Sequence, residues 1–401
     1  MSQTAQWTWL VYMAGDNNLE GAGRDDLAEM KRVGSTDQVN VIVQFDTEEN
    51  KTTRYRVEKN KLKSLQRLPG VDCGNPKVLT GFIQWGIKNF PAKHYLVDIW
   101  NHGGGWENLP ADYDYDAIRA AKPQAAAKLR RLKRALFRTT IRKIHKRPLQ
   151  ARAIAIDCGS HDYLDNQELR KAVTQALPSG RKLDILACDA CLMNMLEIAY
   201  EMKDTAQLMV GSEETEPGAG WPYAAILKAL VAKPAMNPTD LAKLIVGEYG
   251  KYFKRAGEAA TQSALDLGRI PVAAAAVNAL TDSLLADLNT VAGTVSLARD
   301  RAQKFAMPEY IDLGDFAAQL AQRLPQNAQV QAAASSVQAA LNPKAPNAFV
   351  IDNATCGRKM ARATGVSIYF PQAEDYAPDY SDLLFSQQGK WLAFLQALFK
   401  V

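Results

Sequence analysis

The sequence predicts an α/β fold in which helices cover both faces of a mainly parallel sheet. Short apolar runs alternate with segments whose apolar residues recur every three or four positions, as strands alternate with amphipathic helices. Several runs, such as residues 7–13 (WTWLVYM) and 183–188 (LDILAC), are almost wholly apolar, which is typical of strands buried on both faces. Glycine, aspartate or asparagine follows many of these runs and indicates a turn.

The elements of the first 106 residues fit this pattern in order. The helix at 19–33 presents Leu27, Met30 and Val33 on one face, and a second helix at 79–89 carries Phe82 and Trp85. Polar residues spaced along 53–58 favour a strand at the edge of the sheet. The remaining predicted strands are 7–13, 39–46 and 94–100.

The rest of the chain divides into three parts. The core, 1–223, continues with strands at 154–157, 183–188 and 208–212, a helix from the capping box at Asp165 to Leu177, and a helix over 192–202. Residues 224–345 are rich in alanine and predict a helical elaboration, with one strand-like break at 263–267. Residues 346–401 predict strands at 347–352 and 365–370 that rejoin the sheet, and a last helix.

The composition excludes several classes of protein. The chain of 401 residues is 47% hydrophobic and 23% charged, as in globular proteins, and its apolar runs are too short to cross a bilayer. Five irregularly spaced cysteines argue against a disulfide framework, and no zinc spacing is present. The first residues lack the features of a signal peptide, so we expect a cytoplasmic protein without a membrane partner, or a secreted one if a leader has been removed.

The net charge of +5 comes from one segment. Residues 117–153 contain thirteen Lys and Arg and no Asp or Glu, whereas the rest of the chain is acidic. Such a segment can bind nucleic acid or an anionic membrane, or it can be a solvated helix.

A cysteine and a histidine follow two of the apolar strands. His102 comes after the strand at 94–100 and precedes three glycines, and Cys191 comes after the strand at 183–188. Parallel strands present reactive groups at their carboxyl ends, and a thiol at a helix N-terminus has a lowered pKa. The pair therefore predicts a nucleophilic site whose oxyanion donors are the N–H groups of Gly103 and Cys191. A buried structural cysteine is the alternative, and Cys188 is the competing thiol.

Five motifs, taken together, resemble the clostripain family of cysteine peptidases. They are YMAGDNNLE (12–20), DIWNHGGGW (98–106), DACLM (189–193), SEETEPGAGW (212–221) and GVSIYFP (365–371). The resemblance implies a caspase-like fold, with His102 as general base and acid and Cys191, which follows Asp-Ala, as the nucleophile. It implies a dyad that needs no catalytic Asn or Asp.

The resemblance also implies cleavage after Arg, with Lys as a second choice. Asp189 matches the family's acid for the basic side chain, although Asp there would also suit a helix N-cap. Glu213, Glu214 and Glu216 are second candidates for this substrate pocket, and a solvated acidic loop is the alternative.

Family members are often cleaved between the histidine and the cysteine, so the basic segment predicts self-processing or self-inhibition rather than binding of nucleic acid. We expect no cofactor, with calcium as an option at Asp112, Asp114 and Asp116 or at the turn 157–165. Protein or peptide substrates with Arg or Lys at the cleavage site are the expected partners. The rival functions are a catalytically silent module that binds anionic partners and a cysteine transpeptidase or ligase.

Overall fold

A computed structural model describes residues 4–49, 51–106, 115–120 and 154–401 of the chain. The strands are β1 (Ala5–Ala14), β2 (Val39–Thr47), β3 (Lys51–Glu58), β4 (Lys61–Pro69), β5 (Ala92–Trp100), β6 (Ile154–Asp157), β7 (Asp162–Leu164), β8 (Leu183–Asp189), β9 (Ala206–Gly211), β10 (Ala260–Asp266), β11 (Tyr310–Asp312), β12 (Val350–Cys356) and β13 (Ser367–Tyr369). The helices are α1 (Glu20–Lys31), α2 (Pro76–Asn89), α3 (Tyr115–Ala120), α4 (Asn166–Ala176), α5 (Leu196–Met202), α6 (Tyr223–Ala232), α7 (Pro238–Ala256), α8 (Ile270–Leu285), α9 (Leu288–Arg301), α10 (Leu313–Arg323), α11 (Ala328–Leu341), α12 (Leu384–Gln388) and α13 (Trp391–Leu398).

Within the described ranges, nine strands form one sheet in the order β12-β10-β9-β8-β5-β1-β2-β3-β4. The five central strands, from β9 to β2, run parallel to one another. Antiparallel strands extend the sheet on both sides, β3 and β4 beyond β2, and β10 and β12 beyond β9. The predicted mainly parallel sheet is therefore confirmed.

Each face of the sheet has its own apolar core. Along β1, Leu10 and Tyr12 belong to the core that also contains Phe82 of α2, whereas Trp9 and Val11 belong to the core on the opposite face. The alternation follows from the two-residue period of a strand. The helices thus sandwich the sheet, as the sequence predicts.

Several elements differ from the sequence prediction. The predicted edge strand, β3, is covered by β4, whose polar and mostly exposed residues give no apolar signal. Residues 192–195 precede α5, which begins only at Leu196. The predicted strand at 365–370 does not rejoin the large sheet, because β13 pairs with β11 in a separate small sheet.

The strand-like break in the alanine-rich region is β10, which lies in the large sheet between β9 and β12. The divisions at 223 and 345 stay predictions. Most of the basic segment, residues 121–153, lies outside the described residues. Among the helices that the structure describes, none combines the length and the apolar character needed to cross a membrane.

The packing of α2 on β1 predicts a difference between two glycines of the same helix. A Cβ on Gly86 would lie 2.6 Å from Cδ2 of Leu10, which is fully buried, whereas a Cβ on Gly81 would meet nothing within 4 Å. We expect Gly86→Ala to lower the free energy of unfolding by about 1–3 kcal/mol through overpacking. Gly81→Ala should raise it by up to about 1 kcal/mol, because alanine favours the helix. Denaturant unfolding of both variants checks this, and equal stabilities would contradict it.

Candidate active site

The carboxyl ends of neighbouring parallel strands bring His102 and Cys191 to the same edge of the sheet. β5 and β8 pair in parallel, with Trp100 beside Asp189. His102 and Cys191 each lie two residues beyond this pair. The backbone N–H of Asn101 donates to the carbonyl of Asp189 at 3.3 Å, so the two chains stay side by side past the strands.

Gly103 lies against the backbone of Cys191. A Cβ on Gly103 would lie 2.2 Å from the carbonyl oxygen of Cys191 and 3.0 Å from its nitrogen. Only glycine therefore permits this approach. The segments after β5 and β8 are therefore in contact at Gly103 and Cys191. These are the two residues whose N–H groups the sequence predicts as oxyanion donors.

The segment after β9, residues 212–216, covers the thiol of Cys191. The N–H of Leu192 donates to the carbonyl of Glu214 at 3.3 Å, and that of Asn194 donates to the carbonyl of Ser212 at 3.0 Å. The N–H of Glu216 donates to Sγ of Cys191 at 3.1 Å. Cys191 is consequently 0% exposed.

Burial favours the neutral forms of both predicted reactive groups. It raises the pKa of the Cys191 thiol well above its usual value, with a further contribution from the charge of Glu216. It lowers the pKa of His102 to about 4. The expectation of a thiol activated by a helix N-terminus is wrong, because residues 192–195 separate Cys191 from α5 and Leu192 has a φ of 64°.

His102 contacts the turn that follows β1. Its Nε2 lies 2.8 Å from Oδ1 of Asn18, and His102 is 1% exposed. Asn18 lies in the motif YMAGDNNLE (12–20), and its contact with His102 was missed. The signal was the run of polar residues directly after a buried strand.

Asp189 belongs to a buried group of acids behind the thiol. Tyr223 Oη lies 2.8 Å from Oδ2 of Asp189 and 3.0 Å from Oδ2 of Asp98. Burial, followed by the charge of Asp189, raises the pKa of Asp98 to about 8. The N-cap alternative for Asp189 is wrong, since Met195 precedes α5. Asp98 was missed, although a charged residue in the apolar run YLVDIW marked it.

Glu216 is the glutamate that the structure brings to Asp189. Burial raises its pKa well above the usual value, and the charge and hydrogen bond of Asp189 raise it further. Nε1 of Trp221 lies 3.3 Å from Oε1 of Glu216. A proton shared between the two carboxyl groups is the form that burial favours.

Glu213 and Glu214 have other partners. Glu213 accepts the N–H of Gly365 at 3.2 Å, and its pKa is raised by burial and then by Asp312. Glu214 accepts both the N–H and the hydroxyl of Thr215 at 3.0 Å. The alternative of a solvated acidic loop is wrong, because Glu213, Glu214 and Glu216 are only 1–3% exposed.

A small cavity adjoins Asp189 and Glu216. Its volume is about 10 Å³, which suffices for about one water molecule. Asp26 also lines it and accepts Nε1 of Trp100 at 2.9 Å. The competing thiol, Cys188, lies inside β8, is fully buried, and has a pKa raised by burial.

The possible calcium ligands lie partly outside the described residues. Asp112 and Asp114 lie outside the described residues. Asp46, Cys73 and Asp157 are described residues whose ligand atoms all lie within 4.8 Å of one another. A thiol does not suit calcium, which prefers oxygen ligands. Both oxygens of Asp157 accept backbone N–H groups, including that of Cys73 at 2.8 Å, so this group does not fit calcium.

Comparison with known proteins gives matches over most of the chain. A model of the clostripain family of peptidases matches residues 11–118 and 142–397. The curated Clostripain of Hathewaya histolytica is 26% identical over 269 residues, which cover 58% of this chain and 44% of the relative. The matched part of this chain thus spans less than half the length of that relative.

Solved structures are similar over nearly the whole chain. A secreted C11 cysteine protease from Bacteroides thetaiotaomicron has a TM-score of 0.68 at 17% identity and covers 96% of this chain and 99% of its own. An inactive zymogen C11 protease from Parabacteroides distasonis has a TM-score of 0.68 at 20% identity, with coverages of 97% and 99%. These likenesses concern the fold and confirm the predicted caspase-like arrangement. The family match, which extends over far more than half of the sequence, shows that the chain belongs to the clostripain family of peptidases.

Proposed function

We propose that this protein is a cysteine endopeptidase that hydrolyses peptide bonds with Cys191 as nucleophile and His102 as general base and acid. The observation that carries the proposal is the parallel register of β5 and β8, which sets the two residues at equal distances beyond one residue pair. The approach of Gly103 to Cys191 supports it, because an acyl-transfer site needs backbone donors beside the nucleophile.

The proposed reaction begins from a neutral thiol and a neutral imidazole, the forms that burial favours. His102 takes the proton of Cys191 as the sulfur attacks the peptide carbonyl. The N–H groups of Gly103 and Cys191 hold the oxyanion. His102 then protonates the leaving amine, and a water molecule that it activates hydrolyses the thioester and restores the thiol.

The acids behind the thiol support a preference for Arg at the cleavage site. Asp189 and Glu216 lie together and are buried, and a guanidinium can bind two carboxyl oxygens side by side. The cavity beside them is far too small for an arginine side chain. Substrate binding therefore requires residues 216–220 to move, and movement of Glu216 also withdraws its N–H from the thiol.

Self-processing or self-inhibition by the basic segment 117–153 is part of the proposal. An enzyme that cleaves after Arg and carries thirteen basic residues between His102 and Cys191 contains its own substrate sequences. The cytoplasmic location stays a prediction, and the secreted solved relative makes secretion the alternative to test.

The two thiols of the β8 region give the first test. Cys191→Ala and His102→Ala should lower kcat/KM on a fluorogenic Arg peptide at least about 1000-fold, because each removes a reacting group. Cys188→Ala should retain activity within about tenfold, since that thiol packs inside the sheet. Full activity of Cys191→Ala would end the proposal.

If wild type and all variants were inactive but bound nucleic acid in a salt-dependent way, the catalytically silent interaction module would be favoured. Product analysis with an added amine separates hydrolysis from transpeptidation.

The substrate pocket gives the second test, with two aspartates of the same strand. Asp189→Asn should lower kcat/KM for an Arg peptide about 100-fold or more, because the substrate cation would lose its buried partner. Asp184→Asn, at the other end of β8 beside His94, is the matched control and should act like wild type. Equal losses in both variants would indicate damage to the strand rather than loss of a pocket acid.

Incubation of purified protein tests self-processing. We expect wild type to yield two fragments with the new terminus after a Lys or Arg between 117 and 153, while Cys191→Ala stays whole. Electrophoresis with intact-mass measurement identifies the bond. The same fragments from both proteins would assign the cut to another protease.

A further inference from the structure

His102 makes a polar contact that the proposed reaction does not use. Nε2 of His102 lies 2.8 Å from Oδ1 of Asn18, and both residues are buried. An amide oxygen only accepts hydrogen bonds, so Nε2 must carry the proton. In a neutral ring, the lone pair then resides on Nδ1.

The turn that carries Asn18 is fixed by its neighbour. Nδ2 of Asn17 donates to the carbonyls of Ala14 at 3.0 Å and Ile156 at 2.8 Å, and its Oδ1 accepts the N–H of Leu19 at 2.9 Å.

Asn101 fixes the segment after β5, which carries His102. Its Nδ2 donates to the carbonyls of Ala14 and Ile156, and its Oδ1 accepts the N–H of Ile156 at 2.9 Å. The segments after β1 and β5 are therefore tied to β6 and to each other. Asn18 and His102 are presented on a rigid frame, as positioning a catalytic ring requires.

An amide suits this place better than a carboxylate. Burial lowers the pKa of His102 to about 4, which keeps the ring neutral. A carboxylate at position 18 would favour the imidazolium and raise that pKa, because an opposite charge at hydrogen-bonding distance stabilises the charged form. An amide orients the ring without adding a charge, and so preserves the base.

We propose that Asn18 is the positioning residue of the general base: its amide oxygen holds the Nε2–H tautomer of His102 and leaves Nδ1 to exchange the reacting proton. The inference rests on the proposed peptidase function. The thiol proton passes to Nδ1 as the S–C bond forms. Nε2–H stays bound to Asn18 in the imidazolium, and the Nδ1 proton then passes to the leaving amine as the C–N bond breaks. The reacting group is thus a triad rather than the dyad that the resemblance implies.

Other titratable groups belong to the segments around His102, but burial is what lowers the pKa of the ring. Asp16 after β1 is paired with Arg119 at 2.8 Å. The others include Asp157 and Cys158 at the end of β6, Cys191 after β8, and Glu214 and Glu216 after β9.

Variants of Asn18 test the proposal through the ring itself and through turnover. In proteins labelled with ¹⁵N-histidine, wild type should show His102 as the Nε2–H tautomer, neutral down to about pH 5. Asn18→Ala should give mixed tautomers and lower kcat about 10- to 100-fold with little change in KM, as loss of one buried hydrogen bond implies. Asn18→Asp should raise the pKa of His102 by one unit or more and move the acid limb of the pH–rate profile upward. The ¹⁵N signal that is lost in a His102→Gln variant identifies His102 among the four histidines of the chain.

Asn237→Ala is the matched control, because Asn237 caps α7 at the N–H of Asp240, beside Met236, which accepts Nε1 of Trp7 at the start of β1 and so lies at the opposite edge of the sheet from His102. It should lower stability without changing the tautomer or the acid limb. An unchanged tautomer and pKa in both folded Asn18 variants would overturn the positioning role while leaving the peptidase function intact. Full activity of Cys191→Ala would instead overturn the function itself.

Discussion

The candidate site depends on the in-register parallel pairing of β1, β5 and β8 at the centre of the sheet. Because neighbouring parallel strands end at one edge, the segments that carry Asn18, His102 and Cys191 meet there. A shift of one residue in this register would turn every side chain of a strand to the other face. The two cores oppose such a shift, since residues such as Trp9 and Leu10 are buried on opposite faces. Packing of the cores therefore sets the geometry of the site.

Indole groups connect these cores to the acids of the site. Nε1 of Trp9 lies 3.3 Å from Asp98, that of Trp100 donates to Asp26 at 2.9 Å, and that of Trp221 lies 3.3 Å from Glu216. Each indole has an apolar body for the core and one donor for a carboxyl group. Burial of a carboxylate is costly, and each such donor offsets part of that cost. These three tryptophans thus serve packing and electrostatics together.

A feature could be predicted from the sequence where residues close to it in sequence determine it, and could not where contacts between distant residues determine it. The strands before His102 and Cys191 were predictable, because buried parallel strands are apolar throughout. β4 was not, since an edge strand with polar, exposed residues has no local signal. The late start of α5 was missed because residues 192–195 continue an apolar pattern while hydrogen bonds to the segment after β9 hold them in a non-helical form. The rise in the pKa of Glu213 and Glu216 beyond the effect of burial likewise comes from Asp312 and Asp189, which are distant in sequence.

Asp189 links access to the thiol with recognition of a basic side chain in the proposed enzyme. The carboxyl group of Glu216 is hydrogen-bonded to Asp189, which raises its pKa, and the N–H of Glu216 donates to Sγ of Cys191. A substrate cation that binds Asp189 must compete with Glu216 for the same carboxyl oxygens. Displacement of Glu216 would also withdraw its N–H from the sulfur. A neutral substrate side chain has no charge with which to replace the contact between Glu216 and Asp189. Competition with Glu216 for Asp189 would therefore favour Arg substrates.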